Sequence, residues 1–322
     1  MITRRSFIKQ VALGLAAMSM GGMQMGCTRP VKGKLTFGVI SDVHEELQAD
    51  AKDRLKKFLA DADGRSLDFI IQLGDMSHGN KAQEMMDIWN TYAGPRYSVL
   101  GNHDLDHANK EKIVRIQQME GPYYSFDAGP FHCVALDLNH VRKDGQIVDF
   151  DHGNYYVDSK DRDLISPEEL AWLCEDLEAT DKPTILFSHQ GLDEVWDGMA
   201  CPNRSEVRAL FREINQKQKK VVACFCGHHH VDAYSQIEGV HYVQINSASY
   251  HWVDGDVHFS KGNMAEYKDG LYAFVTLDLD ADRLLIEGQQ SEFLPPAPTA
   301  DNCENGDKIF PWISDRDISL LI

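Results

Sequence analysis

Five short apolar runs, each followed directly by a polar cluster, constrain the fold of this 322-residue chain more than any other feature. The runs alternate with segments whose apolar residues recur at helical spacing, which predicts a layered α/β architecture. Because ligand sites in open α/β sheets lie at the carboxyl ends of the strands, we expect the clusters to converge on one crevice. In chain order the clusters are Asp42-Val43-His44, Gly74-Asp75, Gly101-Asn102-His103-Asp104, His189 and Gly227-His228-His229-His230.

Carboxylate, imidazole and amide side chains that converge in this way indicate a metal site. Because no thiolate is among them, the donor types favour borderline to hard cations such as manganese, iron or zinc, and their number favours two ions. Single residues have structural alternatives, since Asp42 or Asp75 could cap a helix and His189 could be a hydrogen-bonded core histidine. Metal binding explains the whole set better than separate structural roles do.

The order D-x-H, G-D, G-N-H-D, a lone histidine and G-H-x-H resembles the calcineurin-like metallophosphoesterases over roughly residues 34–285. This resemblance implies an α/β fold in which two facing mixed β-sheets form a sandwich flanked by helices, a four-layer αββα arrangement with the metals at one edge. It also implies that two groups of residues each hold one ion and that Asp75 bridges both. The first group is Asp42, His44 and His230, and the second is Asn102, His189 and His228.

His103 and Asp104 are expected to act in catalysis rather than to bind metal. Since Asn102 would already point at an ion from the same loop, His103 is the candidate general acid that protonates the departing alkoxide. Asp104 would then orient this imidazole and favour its charged form. The alternative, in which His103 only hydrogen-bonds its own loop, stays open. His78 and His229 are more consistent with structural roles than with metal binding.

The resemblance implies metal-dependent hydrolysis of a small-molecule phosphoester by a metal-bridging hydroxide. The substrate would be a phosphodiester, a phosphomonoester or a nucleotide pyrophosphate. One alternative is a non-catalytic surface lipoprotein that keeps the fold to bind a metal or ligand, and another is a dinuclear hydrolase of a different bond class. An intact His103-Asp104 pair favours the enzyme, because a binding protein needs no acid for a leaving group. Trp196, Tyr250 and Trp252 follow ligand clusters and could either stack on a base or pack in the core.

The charge of the chain limits the partners that it can have. Its formal net charge is −18, and the acidic residues are spread along the sequence without a basic patch. We therefore expect no nucleic acid partner. Two bound cations would invert the negative potential locally and admit an anionic substrate. The oligomeric state does not follow from the sequence.

Residues 1–26 resemble a twin-arginine export signal. Arg4 and Arg5 precede an apolar stretch, residues 11–20, that is too short to span a bilayer as a helix. A basic amphipathic helix is the structural alternative. Gly26-Cys27 loosely matches a lipoprotein cleavage site, so a lipid on Cys27 could attach the protein to a membrane. The expected location is therefore outside the cytoplasm, either periplasmic or as a membrane-anchored lipoprotein.

The remaining chain divides into a domain and an arm. Residues 34–289 are expected to form the metallophosphoesterase domain, and the proline-containing residues 290–322 an extended arm packed over it. After Gly227 the pattern changes to short antiparallel strands, which we assign to the second sheet of the sandwich.

Three local signals predict element boundaries within the domain. Ser166, followed by Pro167 and two glutamates, is typical of a capped helix start, and Asn203 repeats the same cap logic before a second helix. Asp144-Gly145 predicts a hairpin turn in a polar insertion. Both helices are expected to serve as scaffold.

Overall fold

The structure is a computed structural model that describes residues 32–150, 152–153, 157–195, 199–253, 259 and 261–320. The predicted export signal, Cys27 and Trp196 lie outside the described residues. In the described part of the chain, no helix has both the length and the apolar character that crossing a bilayer requires.

The first sheet, called sheet A, contains six strands. They are β1 (Lys34–Ile40), β2 (Phe69–Gln72), β3 (Arg96–Ser98), β14 (Ala273–Asp278), β15 (Arg283–Gly288) and β16 (Arg316–Ser319). Their order across the sheet is β16-β15-β14-β1-β2-β3. Strands β1, β2 and β3 run parallel, and the other three join by antiparallel pairing. Every residue of β2 is buried, as expected for a parallel strand covered on both faces.

The second sheet, called sheet B, also contains six strands. They are β4 (Tyr124–Ala128), β5 (Phe131–Ala135), β8 (Thr184–Phe187), β9 (Val221–Cys226), β10 (Ala233–Ile237) and β11 (Val240–Gln244). Their order is β10-β11-β9-β8-β5-β4, with the four inner strands parallel and the two edge strands antiparallel. Both sheets are therefore mixed, which confirms the predicted fold class.

Helices cover the outer faces of the two sheets. The α-helices in the described residues are α1 (Ala51–Asp63), α2 (Ala82–Trp89), α3 (Lys110–Ile116), α4 (Pro167–Ala179) and α5 (Arg204–Lys217). Apolar side chains of α1 and α2 pack with sheet A, and those of α4 and α5 pack with sheet B. The inner faces of the two sheets share one apolar core, so the layers follow the predicted order α, β, β, α.

Aromatic side chains fix how the two sheets face each other. Phe37 of β1 stacks on Phe69 of β2 with ring centroids 5.0 Å apart. It also meets Phe187 and Phe225 of sheet B edge-on, at 5.4 Å in each case. All four side chains are fully buried. Because such a core is close-packed, it also sets the relative position of the strand ends that lie above it.

Four of the antiparallel strands after Gly227 form two hairpins, but the hairpins join different sheets. The pair β10 and β11 lies in sheet B, whereas β14 and β15 return to sheet A beside β1. Assigning all four strands to the second sheet is therefore wrong. A hairpin is a local pairing, and the sheet that it joins depends on which strand edge the rest of the fold leaves open. Part of the predicted arm also enters sheet A, because β16 (Arg316–Ser319) pairs with β15.

Two short hairpins stand apart from the main sheets. The first pairs β6 (His140–Lys143) with β7 (Gln146–Asp149) and turns at Asp144-Gly145. Both turn residues have left-handed backbone, with φ of 51° and 77°, which confirms the predicted turn. The second pairs β12 (Tyr250–Trp252) with β13 (Met264–Glu266).

The two predicted helix caps differ in outcome. Ser166 caps α4, since its Oγ accepts a hydrogen bond from the N–H of Glu169 at 3.1 Å. Asn203 precedes α5 but does not cap it. Its side chain instead bonds both main-chain groups of Ile165, at 3.1 and 3.0 Å. A contact between distant segments therefore replaces the local cap that the sequence favours.

A buried imidazole far from the polar strand ends gives a prediction about stability. His132 of β5 lies between Asp176 of α4 and Asp127 of β4, at 2.8 and 2.9 Å. Burial would lower the pKa of His132, but the two carboxylates outweigh burial and raise it above 6.5. A raised pKa in the folded state stabilises the protein below pH 6.5, and this contribution disappears as the pH rises through the folded pKa.

His132→Gln should therefore lower the free energy of unfolding more at pH 6 than at pH 9. Denaturant titrations of both proteins at the two pH values measure this difference. His107→Gln, at an exposed histidine, serves as the matched control and should show little change at either pH. If His132→Gln lowers the free energy of unfolding equally at pH 6 and pH 9, the charge of His132 contributes nothing to stability.

Candidate metal centre

The carboxyl ends of strands from both sheets meet at one edge of the sandwich. Strands β1, β2 and β3 of sheet A end there, as do β8 and β9 of sheet B. The predicted ligands follow these strands directly: Asp42 and His44 after β1, Asp75 after β2, Asn102 after β3, His189 after β8, and His228 and His230 after β9. Six of them form two groups of three, and the ligand atoms within each group lie within 4.8 Å of one another.

The first group consists of Asp42, His44 and His230. The Nε2 atoms of His44 and His230 are 3.1 Å apart, and Oδ1 of Asp42 is 3.2 Å from Nε2 of His230. All three residues are buried. Two imidazole nitrogens and a carboxylate oxygen therefore face one small volume, as the ligands of a common ion would.

The second group consists of Asp75, His189 and His228. Nε2 of His189 is 3.1 Å from Oδ2 of Asp75 and 3.2 Å from Nδ1 of His228. The same Asp75 oxygen is 3.8 Å from Nε2 of His44, so it lies between the two groups. This position suits the bridging role that the sequence predicts for Asp75. Asn102 is buried in the neighbouring loop, and its role as a ligand stays a prediction.

Main-chain carbonyl groups orient two of these imidazoles. Nδ1 of His189 donates to the carbonyl oxygen of Leu73 at 2.6 Å, and Nδ1 of His230 donates to that of Tyr250 at 2.7 Å. A carbonyl only accepts, so each Nδ1 carries the proton and each Nε2 is left to act as a ligand. Such outer hydrogen bonds are typical of metal-binding histidines. The donor types and the tautomers both fit the predicted transition-metal ions.

Five of the seven predicted ligands have a left-handed backbone. Asp42, His44 and Asp75 each have a φ of 54°, and His228 and His230 have φ values of 66° and 53°. For residues other than glycine this conformation is uncommon and costs on the order of 1–3 kcal/mol. Such strain persists only where the surroundings impose it, and it clusters at functional sites. The backbone at these positions is therefore held to aim the side chains.

The glycines of the motifs let the loops approach one another. A Cβ on Gly74 would lie 2.5 Å from Nδ1 of His189 and 2.7 Å from the main-chain nitrogen of Gly101. A Cβ on Gly101 would overlap Asp75, and one on Gly227 would overlap Ser41. No side chain larger than hydrogen fits at these places, which is why these three ligand clusters begin with glycine.

The charges at the centre favour a cation between the two groups. Burial would raise the pKa of Asp75, but the imidazoles of His189 and His103 lower it well below its usual range. Burial would lower the pKa of His189, but Asp75 and Asp42 outweigh this effect and raise it to about 10. Burial lowers the pKa of His44 well below 6.5, so this side chain is neutral, the form that binds metal. The same negative field that holds a proton on His189 would stabilise a metal ion in its place.

His103 lies beside the first group, but the carboxylate that contacts it is not the predicted one. Nδ1 of His103 is 2.9 Å from Oδ2 of Asp106. Asp104 instead accepts hydrogen bonds from the main-chain N–H groups of Gly101, Asp75 and Ser77, at 3.0, 3.1 and 3.3 Å.

Assigning Asp104 as the partner of His103 is therefore wrong. Asp104 is fully buried and joins two ligand loops, and burial together with repulsion from Asp75 raises its pKa to about 7.

Asp106 is a site residue that the sequence did not predict, and His78 contacts the centre although the sequence favours a structural role for it. Nδ1 of His78 is 2.7 Å from the same Asp106 oxygen, and Nε2 of His78 is 3.1 Å from Nδ1 of His44. His78 thus links a predicted ligand to the partner of His103. The available signal was the spacing of His103 and Asp106, because side chains three residues apart eclipse in the 3₁₀ turn His103–Leu105.

Comparison with known proteins agrees with this geometry. A manganese-dependent ADP-ribose/CDP-alcohol diphosphatase of Oryza sativa subsp. japonica is 24% identical over 266 residues, covering 69% of this chain and 77% of that protein. A dimetal phosphatase of Danio rerio has a TM-score of 0.58 at 17% identity, covering 82% of this chain and 99% of that chain. The purple acid phosphatase PPD1 from yellow lupin seeds has a TM-score of 0.54 at 13% identity, covering 90% of this chain and 55% of that chain. At these identities the two structures establish the fold alone.

Family membership rests on a longer match. Residues 35–232, more than half of the chain, match the calcineurin-like phosphoesterase family. The matched stretch starts in β1 and runs past His230, so it includes every predicted ligand. Because the match and the geometry coincide in this way, the chain belongs to the calcineurin-like phosphoesterase family, and it is a dinuclear metal-dependent phosphoester hydrolase.

Proposed function

We propose that the protein hydrolyses a small-molecule phosphoester, with His103 as the general acid. The observation that carries the proposal is the position of His103, whose imidazole ring is 5.1 Å from that of His44 and is held at Nδ1 by Asp106. The metal-binding residues would be Asp42, His44, Asp75, Asn102, His189, His228 and His230.

Each residue near the reacting phosphorus would have a distinct task. When bound, two ions would activate the attacking water and neutralise charge on the phosphoryl group. Asp75 would keep the two ligand groups at a fixed separation, because its Oδ2 lies between them while its Oδ1 accepts the N–H of His103 at 2.8 Å. With Nδ1 of His103 engaged by Asp106, Nε2 is the atom that would deliver a proton to the leaving oxygen.

An activity screen on the metal-loaded protein tests this proposal. The full chain, loaded with Mn²⁺, should hydrolyse at least one member of a panel that contains a phosphodiester, phosphomonoesters and a nucleotide pyrophosphate. The protein stripped with a chelator should lose that activity and regain it on addition of metal. A protein that binds two equivalents of metal but hydrolyses no member would contradict the proposal and support the non-catalytic binding role.

A nucleoside diphosphate derivative is the substrate class that we favour. The name of the diphosphatase from Oryza sativa gives ADP-ribose and CDP-alcohol, which are compounds of this kind. An aromatic side chain suited to a base is also present: Trp252 is 39% exposed, and its ring centroid is 5.1 Å from that of Tyr250. Residues two apart on a strand share a face, so Trp252 lies on the same side of β12 as Tyr250, whose ring contacts His44 and His230.

Trp252→Ala should raise the KM for a nucleoside diphosphate derivative by about 5- to 150-fold, because stacking on a base contributes about 1–3 kcal/mol. The KM for nitrophenyl phosphate, which has no base, should change little. Tyr234→Ala is the matched control, since Tyr234 is similarly exposed at 37% but lies on the edge strand β10. An equal rise in KM for both substrates would show that Trp252 does not recognise a base.

Export and lipid attachment stay predictions from the sequence. We propose a location outside the cytoplasm on the strength of Arg4-Arg5 and the apolar run that follows. Replacing both arginines with lysine should leave the precursor in the cytoplasm, and unchanged export would contradict the twin-arginine assignment.

A further inference from the structure

Tyr250 packs against the first ligand group with both its ring and its main chain. Its ring stacks on that of His44, with centroids 5.2 Å apart and planes 30° apart. It meets the ring of His230 at 5.1 Å, and its carbonyl oxygen accepts the hydrogen bond from Nδ1 of His230. The side chain is fully buried. Tyr250 is therefore part of the wall of the centre rather than a surface for a base.

The hydroxyl group of Tyr250 differs from those of three other buried tyrosines. Oη of Tyr124 donates to the carbonyl oxygen of Ser98 at 2.8 Å, Oη of Tyr267 donates to Asn246 at 2.9 Å, and Oη of Tyr272 donates to Asp61. No residue in the described part of the chain forms a hydrogen bond with Oη of Tyr250. A buried hydroxyl without a partner is unfavourable, and a bound ligand that accepts its hydrogen bond would remove that cost.

The surroundings of this hydroxyl indicate what that partner is. The charges that act on the phenol belong to Asp75, Asp42 and Asp106, which add to the larger effect of burial in raising its pKa. The ring that carries this hydroxyl contacts the imidazoles of His44 and His230, so the phenol borders the first ligand group. A phenol keeps its proton at neutral pH, so Oη can donate a hydrogen bond.

We propose that Oη of Tyr250 donates a hydrogen bond to an oxygen of the phosphoryl group bound at the metal centre. The inference rests on the proposed phosphoester hydrolysis and adds a residue to it. A phosphoryl group has several negatively charged oxygens, and a fixed donor that needs no reorganisation stabilises the charge that they carry during displacement. Tyr250 is held in place by its contacts with His44 and His230, so its hydroxyl is fixed before the substrate binds.

Tyr250→Phe removes only the hydroxyl and tests the proposal in the full, metal-loaded protein. Competitive inhibition by inorganic phosphate should weaken by about 10- to 100-fold, the range for a hydrogen bond to a charged group, and kcat/KM should fall by a similar factor. Bound metal should stay at the wild-type level. Thermal stability without phosphate should be unchanged or higher, because an unpartnered hydroxyl is gone, whereas the stabilisation by added phosphate should shrink.

Two further variants separate the hydroxyl from the ring. Tyr272→Phe, at a buried tyrosine bonded to α1, should lose stability but keep the wild-type inhibition constant for phosphate. Tyr250→Leu removes the ring that stacks on His44 and should also lower metal content.

Unchanged phosphate inhibition and turnover in Tyr250→Phe would overturn the proposal, and so would a loss of metal in that variant. If the wild-type protein neither binds phosphate nor hydrolyses any phosphoester, the proposed function itself fails.

Discussion

His103→Ala should slow the hydrolysis of phosphoesters with alkyl or sugar leaving groups by about 10²- to 10⁴-fold, the range typical of general acid catalysis. Nitrophenyl esters should lose much less, because nitrophenolate departs without a proton. Rate measurements on a series of esters that differ only in the leaving group give this comparison. Metal content should stay near the wild-type value, since His103 contacts Asp106 and is not among the predicted ligands.

Two carboxylate variants show which residue supports His103. Asp106→Asn should reproduce the dependence on the leaving group in weaker form, because it removes the charge that holds Nδ1. Asp104→Asn should instead lower stability and slow all substrates alike, because Asp104 accepts three main-chain hydrogen bonds that join the ligand loops. A uniform loss in His103→Ala, or loss of metal, would place His103 among the structural or ligand residues.

Asp75→Asn should reduce metal content more than any other single change at the centre. Its Oδ2 is 3.1 Å from Nε2 of His189 and 3.8 Å from Nε2 of His44, so it faces both ligand groups. Changes outside the ligand shell already cost about 10- to 100-fold in metal affinity, and loss of a shared carboxylate should exceed that range. Elemental analysis of the purified variants, with wild type near two equivalents, measures the effect.

Matched variants make the test of bridging specific. His228→Gln changes a ligand of one group only and should chiefly affect one ion. His132→Gln, near the N-terminal end of β5, should keep both ions. Equal losses of metal in Asp75→Asn and His228→Gln would argue against a shared carboxylate. Wild-type protein that carries no metal, and gains none from added Mn²⁺, Fe²⁺ or Zn²⁺, would contradict the dinuclear centre itself.

The fold class could be predicted from the sequence, because the patterns that indicate it are local and recur along the chain. Apolar runs of strand length alternate with helical spacing, and a chain with this pattern buries its apolar faces by layering helices on sheets. The convergence of the polar clusters could also be predicted, because the carboxyl ends of parallel strands lie at the same edge of a sheet. The apolar character of Phe37 or Phe225, however, does not reveal that their rings meet across two sheets at 5.4 Å.

The pairings between distant segments of the chain could not be predicted from the sequence. The return of β14 and β15 to sheet A depends on the open edge of β1, and the use of Asn203 to bind Ile165 depends on where α4 begins. The local residues do not determine either pairing. A hairpin can join more than one sheet edge, and an asparagine side chain can bond a distant main chain as well as its own helix.

The motif residues illustrate the same division at the centre of the molecule. Their types and order determined that carboxylates and imidazoles collect at the strand ends, since those positions are fixed by the length of each apolar run. Only the tertiary structure decided that Asp106 rather than Asp104 contacts His103, and that His78 joins Asp106 to His44. The reason is physical: a ligand set is imposed by the strands that carry it, whereas the partner of a side chain depends on distances of about 3 Å between loops, which only the packed fold defines.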